Sequence, residues 1–165
     1  MALEADENAK LPENLFADAQ ELGLNYFAIP ESLGGAGQLS PMTSALVAED
    51  LAWGDFSLAF AILSSTSVVN TLSRWGNEHQ QTSWLGKFCE EDIYNAALAV
   101  QEAQPLFNSQ LLTTKAKKNK KGYLISGTKS LVPLAGKANL YLVAAEFKGQ
   151  NQLFIVPGAS KGVSF

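Results

Sequence analysis

Near residue 93 the chain changes the period of its hydrophobic pattern and the sign of its charge together, and that double change limits the folds open to it. Residues 1–94 carry 3 Lys/Arg against 14 Asp/Glu, whereas residues 95–165 carry 9 Lys/Arg against 2 Asp/Glu. Upstream, apolar residues recur every three or four positions. Downstream they fall in short runs broken by Gly, Asn and Lys. A switch from a period near 3.6 to one near 2 is a switch from helix to strand. The expected fold class is therefore α+β: a helical unit over residues 1–92 followed by an antiparallel β-barrel or sheet unit over residues 93–165, truncated at its end.

The helical half is well punctuated. Leu15, Phe16, Ala19 and Leu22 share a helical face, and Gly23 follows as a C′ glycine. Ser40-Pro41 reads as N-cap and first helical residue of a helix running to about Trp53. Asp55 caps a third helix carrying Phe56, Phe60, Leu63, Val69 and Leu72, and Asn77 caps a fourth through Trp84 and Phe88. In the second half, Tyr94–Val100, Leu111–Lys117, Gly122–Ser126, Leu140–Phe147 and Gln152–Val156 read as strands, with Gly162-Val163-Ser164-Phe165 opening another. The segments from Lys117 to Gly122 and Gly149-Gln150-Asn151 have hairpin-turn chemistry.

Composition excludes several functions. With 47% apolar and 17% charged residues the chain is ordinary globular material, and a net charge of −4 gives no overall footprint for nucleic acid. Cys89 is the single cysteine, which forbids an internal disulfide and points to a reduced, cytoplasmic setting. His79 is the single histidine, so no zinc site of the usual kind can form. The first residues are acidic where a signal peptide is basic, and the most apolar stretch, Leu58 to Leu63, is too short to span a bilayer.

Local motifs carry little chemistry. Gly35-Ala36-Gly37-Gln38-Leu39-Ser40 fits G-x-G-x-x-S, with Asp55 at a tempting distance for a ribose contact. A dinucleotide fold needs a buried strand before that loop, and Pro30-Glu31-Ser32 stands there instead, so Gly34, Gly35 and Gly37 read as a turn. Lys115, Lys117, Lys118, Lys120 and Lys121 cluster on a hairpin and read as a solvated turn. His79 reads as a surface residue, Cys89 as structural, and Glu90-Glu91-Asp92 as a polar link between the units.

The order of several weak motifs is more specific than any one of them. Glu21-Leu22-Gly23-Leu24 precedes Ile29-Pro30-Glu31-Ser32-Leu33-Gly34-Gly35-Ala36-Gly37; then come Ala48-Glu49-Asp50-Leu51-Ala52, Trp75-Gly76-Asn77-Glu78-His79-Gln80 and Trp84-Leu85-Gly86-Lys87-Phe88. Ala99-Val100-Gln101-Glu102, Gly127-Thr128-Lys129-Ser130-Leu131-Val132-Pro133-Leu134 and Phe154-Ile155-Val156-Pro157 follow. In this order they resemble the acyl-CoA dehydrogenases across essentially the whole chain.

That resemblance implies a flavoprotein, FAD lying across the β-domain and a glutamate of a C-terminal helical bundle removing the α-proton of an acyl-CoA. Hydride passes to the flavin, and electrons pass on to an electron-transfer flavoprotein. It places the flavin against Val100, Gln101, Leu131, Val132 and Pro133, and the substrate path near Leu106 and Phe107. It implies that the helical unit of residues 1–92 is incomplete at its start, and it names no catalytic residue and no metal ligand here. The contacts depart from the family pattern: its threonine is Gln101, its Gly-Ser loop is Leu106-Phe107, and its Trp-Ile-Thr is Leu131-Val132-Pro133. A non-enzymatic reading therefore stands beside the enzymatic one, in which the fold serves as an inert scaffold, as a homo-oligomer or paired with a complete homologue. A third has Phe107 and Leu131 lining an apolar acyl-binding site.

Overall fold

The computed structural model describes residues 2–90, 92–120 and 122–165, so Glu91 of the acidic link and Lys121 of the lysine cluster lie outside the described residues. The chain divides into two compact units, one through Asn95 and the other from Ala96 to Phe165.

The first unit is helical: α1 (Ala2–Asn8), α2 (Leu15–Glu21), α3 (Pro41–Gly54), α4 (Phe56–Trp75) and α5 (Glu78–Trp84). Its boundaries follow from the caps. The Leu24 and Gly23 amides reach back to the Ala19 and Gln20 carbonyls, with Gly23 at φ +75°, which closes α2 in a Schellman turn. The Ser40 hydroxyl accepts from the Thr43 amide at the start of α3, and the Asp55 carboxylate accepts from the Leu58 amide at the start of α4. Asn77 and Gln80 form a reciprocal capping box at α5. The Gln81 side-chain amide donates to the carbonyls of Leu72, Ser73 and Gly76, satisfying the last turn of α4. Helix α1 has no counterpart in the sequence reading.

Helix α4 is the core element and corrects the estimate of the longest apolar run. Its 20 residues are long and apolar enough to cross a membrane, since the Ser/Thr residues after Leu63 continue the helix rather than end it. Within it an 18-residue window is 56% buried inside the unit, as in the core helix of a globular fold. Leu58, Ile62, Val68, Val69 and Leu72 are buried, as are Leu15 and Ala19 of α2 together with Ile29, Leu85 and Phe88. The Thr66 hydroxyl donates to the Leu24 carbonyl at 3.0 Å.

The glycine loop folds back on residues 27–30, with the Gly35 amide on the Pro30 carbonyl, Gly37 on Ile29 and Gln38 on Phe27. A Cβ on Gly35 would lie 2.2 Å from the Ile29 carbonyl oxygen, so only glycine fits. A short 3₁₀ turn (Glu31–Leu33) precedes the loop and α3 follows, so no strand flanks it.

The second unit is a five-stranded sheet of β1 (Ala96–Ala99), β2 (Lys115–Asn119), β3 (Gly122–Ser126), β4 (Leu140–Phe147) and β5 (Gln150–Pro157). The α+β class holds, but the antiparallel expectation requires correction. β2–β3 and β4–β5 are antiparallel hairpins, whereas β1 and β2 both pair with β4 in parallel. Turn chemistry reports only on strands joined by tight loops; the long segment from 100 to 114 leaves the direction of β2 relative to β4 unspecified. Lys148 and Gly149, at φ +54° and +80°, make the two-residue β4–β5 turn.

Three expected strand boundaries shift for visible reasons. Tyr94 belongs to the helical unit, its ring edge-on to Phe88 at 5.1 Å. Residues 112–114 are not strand, because the Thr113 and Thr114 amides are drawn off to a buried carboxylate. Residues 162–165 form no strand, and Phe165 packs on Tyr141 with ring centroids 5.7 Å apart.

Candidate functional site

Glu102 lies just past the end of β1 and is 2% exposed. A carboxylate is costly to bury alone, so its partners are decisive. Its Oε2 accepts from the Thr113 amide at 2.8 Å, the Thr113 hydroxyl at 2.6 Å and Gln104 Nε2 at 2.8 Å. Its Oε1 accepts from the Thr114 amide at 2.9 Å and from Lys129 Nζ at 2.9 Å. Burial by itself would raise this carboxyl, but hydrogen bonds from Thr113, Thr114 and Lys129 outweigh it and hold the group well below the usual carboxylate range.

The pair organises the segments around it. Lys129 Nζ also donates to the Val100 carbonyl at 3.0 Å, and the Ser130 amide donates to the Gln101 carbonyl at 2.9 Å. Val100-Gln101 is thereby fastened against Ser130-Leu131. Thr114 in turn accepts from the Glu146 amide at 2.9 Å, which ties the network to β4.

The next segment is pinned by Tyr141. Its hydroxyl accepts from the Gly136 amide at 3.0 Å and donates to the Leu134 carbonyl at 3.2 Å. Val132 and Leu134 pack against the Ala97, Ala138 and Tyr141 cluster, so Val132 is turned inward. Leu131 and Leu134 take left-handed backbone, at φ +51° and +52°, a region that bulky residues seldom enter. The outcome is a rigid frame with an apolar face: Leu131 is 80% exposed beside exposed Gln101, and half-buried Pro133 has no N–H to offer.

Leu106 and Phe107 stand on a separately anchored loop. Leu106 is 99% exposed at φ +54°, and Phe107 is half-buried. An Asn108 turn bonds the Gln110 amide at 2.9 Å, and the Ser109 carbonyl accepts from Asn151 at the start of β5. The frame thus brings Val100, Gln101, Leu131, Val132 and Pro133 together, while the fastenings of Leu106 and Phe107 lie elsewhere. A flavin presents ring carbonyls, ring nitrogens and a diphosphate, all of which seek donors. Of the seven side chains that the resemblance assigns to it and its substrate, only Gln101 carries a hydrogen-bonding group, so those side chains do not fit a tightly held flavin.

Other candidates carry no chemistry. Burial first, and Glu90 second, push the Cys89 thiol up, away from a reactive thiolate. It lines an open groove of about 560 Å³ with Gln20, Tyr26 and Ile93. His79 is exposed in the first turn of α5, and no group of three or more metal-ligating side chains occurs among the described residues.

Sequence reasoning assigned no role to Glu102, Lys129, Thr113 or Tyr141. The first is one of only two carboxylates after residue 94, but with Gln101 and Gln104 beside it the local sequence carries no sign of its burial.

Residues 1–92 match the family described as "Acyl-CoA dehydrogenase, N-terminal domain". A probable medium-chain specific acyl-CoA dehydrogenase 2, mitochondrial, of Caenorhabditis briggsae is 30% identical over 99% of this chain and 41% of its own length. An acyl-CoA dehydrogenase of Bacillus anthracis, solved in complex with FAD, is 28% identical with a TM-score of 0.72, covering 90% of this chain and 26% of its own. Butyryl-CoA dehydrogenase of Megasphaera elsdenii superposes with a TM-score of 0.82 at 24% identity over 96% of this chain and 44% of its own. The chain therefore spans less than half the length of these relatives.

Proposed function

Because the chain belongs to the acyl-CoA dehydrogenase family, we propose that its β-unit is the cofactor-edge half of a site descended from FAD-dependent α,β-oxidation of acyl-CoA thioesters, and that it now receives an acyl thioester without holding FAD tightly. One observation carries this reading. The buried Lys129–Glu102 pair keeps the frame that joins Gln101 to Ser130, while the side chains displayed on it are apolar. Burying two charges is costly, and here it fixes the backbone on which those side chains stand. Its apolar display suits an acyl chain better than a flavin.

The test is calorimetric titration of the purified chain with a medium-chain acyl-CoA, with and without FAD, beside an absorbance spectrum after desalting. Acyl-CoA binding without flavin supports the reading. A retained flavin band near one equivalent would return the chain to FAD-dependent oxidation, with an electron-transfer flavoprotein as its redox partner. A reducing, cytoplasmic setting belongs to the same proposal and rests on the single cysteine.

A second reading, an inert scaffold paired with a complete homologue, is favoured by α3. None of its 14 residues is fully buried, and Met42, Leu46 and Trp53 along its outer side are 70%, 53% and 93% exposed. Co-purification with a full-length homologue, without thioester binding, would select this second reading.

A further inference from the structure

The geometry points to a second functional surface: the end of the sheet where the β2–β3 and β4–β5 turns emerge is a docking face for an anionic phospholipid surface. Because β2 and β4 run parallel, with Lys115 beside Glu146, both hairpins turn at the same end. That end collects exposed Lys117, Lys118 and Lys120 from the first hairpin and exposed Lys148 from the second. Lys118 sits opposite Tyr123 across the β2–β3 ladder. The Tyr123 ring meets Phe147 at 5.4 Å and Phe154 at 5.1 Å, and Lys148 Nζ lies 5.5 Å from the Phe147 ring centre. One aromatic cluster therefore links the lysines of both hairpins.

Among the described residues of the unit, no carboxylate side chain is left over to neutralise these charges. Its two carboxylates are committed, Glu102 to Lys129 at 2.9 Å and Glu146 to Lys115 at 2.8 Å. Several features favour a lipid surface over other polyanions. The cations are all lysines, compact point charges without the fork that reads a single phosphate. The same end exposes apolar groups suited to a headgroup layer, Tyr123 at 49% and Leu124 at 62%. The lysines project from two turns rather than lining a channel for a strand of nucleic acid.

The test uses the full chain in co-sedimentation with phosphatidylcholine vesicles and with vesicles that also contain phosphatidylserine. Binding to the second alone, falling steeply as salt is added, is expected. Lys118→Glu with Lys148→Glu should lower the partition more than tenfold, each lysine near such a surface being worth about fivefold. The control, Lys137→Glu with Lys161→Glu, makes the same charge change at the other end of the sheet and should lower it far less. Leu124→Ser should weaken partition without changing its salt dependence. Equal losses from both double variants, no binding to either vesicle, or tighter binding to duplex DNA at matched salt would each overturn the proposal. All substituted side chains are exposed, and circular dichroism checks that each variant is folded.

Discussion

Lys129 Nζ stands 2.9 Å from Glu102 Oε1, with the two side chains only 9% and 2% exposed. Removing one partner strands a buried charge, so Lys129→Met should cost about 3–5 kcal/mol in urea unfolding. Glu102→Leu with Lys129→Met should cost less than the two single changes added together, because no lone charge is left. Additive losses would show that the pair is not the fastening described.

Acid should act through the same carboxylate. The folded protein holds Glu102 below its ordinary value of 4.5. A depressed folded value gives stability that is fully present above the unfolded value and lost as pH falls toward the folded one. Unfolding free energy should therefore decline below about pH 4.5, and Glu102→Gln should flatten that decline while lowering stability at neutral pH. An acid limb of equal slope in the variant would assign the effect to other carboxylates.

Gly35 and Gly54 make a contrasting pair. A Cβ on Gly35 would sit 2.2 Å from the Ile29 carbonyl oxygen, whereas one on Gly54 would meet nothing within 4 Å. Gly35→Ala should destabilise by about 1–3 kcal/mol through overpacking. Gly54→Ala, at the last residue of α3, should be neutral or gain up to about 1 kcal/mol. Thermal unfolding of the two variants separates close packing from the loss of a ligand site. A nicotinamide nucleotide should leave the intrinsic fluorescence of the parent unchanged.

Tyr141 should behave as a pin. Tyr141→Phe keeps the ring against Phe165 but leaves the Gly136 amide without its partner, while the Leu134 carbonyl keeps the Lys137 and Ala138 amides. The expected cost is about 1–3 kcal/mol. Faster hydrogen exchange should be confined to the segment after Pro133. Slow exchange there in the variant would show that packing and the Lys137 and Ala138 amides hold the segment without the hydroxyl.

What was legible in the sequence was the local punctuation. Ser40, Asp55 and Asn77 announce caps because a short polar side chain before an apolar run has one obvious partner, the free amides of the first turn. The β4 boundaries were legible because Leu140–Phe147 is apolar but for Glu146, as suits a central strand largely buried on both faces. The parallel pairing of β1 and β2 with β4 was not legible, since no local residue choice encodes the direction of strands joined by a long loop. Glu102 was hidden for a related reason. Its partners Thr113, Thr114 and Lys129 lie 11, 12 and 27 residues away, and a carboxylate reveals burial only once those donors converge on it. The family pattern drew attention to Gln101 and Leu131, while the groups that position them belong to neither contact.

The flavin prediction follows from the face that this frame displays. By the family resemblance, Gln101 stands where a hydroxyl donor is expected, Leu106-Phe107 where a Gly-Ser loop is expected, and Leu131 and Pro133 where a Trp and a Thr are expected. Each lost hydrogen bond is worth about 0.5–1.5 kcal/mol. A lost aromatic stack removes a further 0.5–1.5 kcal/mol, roughly, beyond its area. Together these come to roughly 2–4 kcal/mol, or a weakening of tens to about a thousandfold at 1.4 kcal/mol per decade. The backbone of Val100-Gln101 is fastened to Lys129-Ser130, so affinity should be recoverable from side chains alone. The triple variant Gln101→Thr, Leu131→Trp, Pro133→Thr should bind FAD at least tenfold more tightly than the parent, measured by quenching of flavin fluorescence. After incubation with excess FAD and desalting, the parent should show little or no flavin absorbance. A parent that retains about one equivalent, or a triple variant no tighter than the parent, would mean that the backbone around Gln101 and Ser130 decides flavin binding.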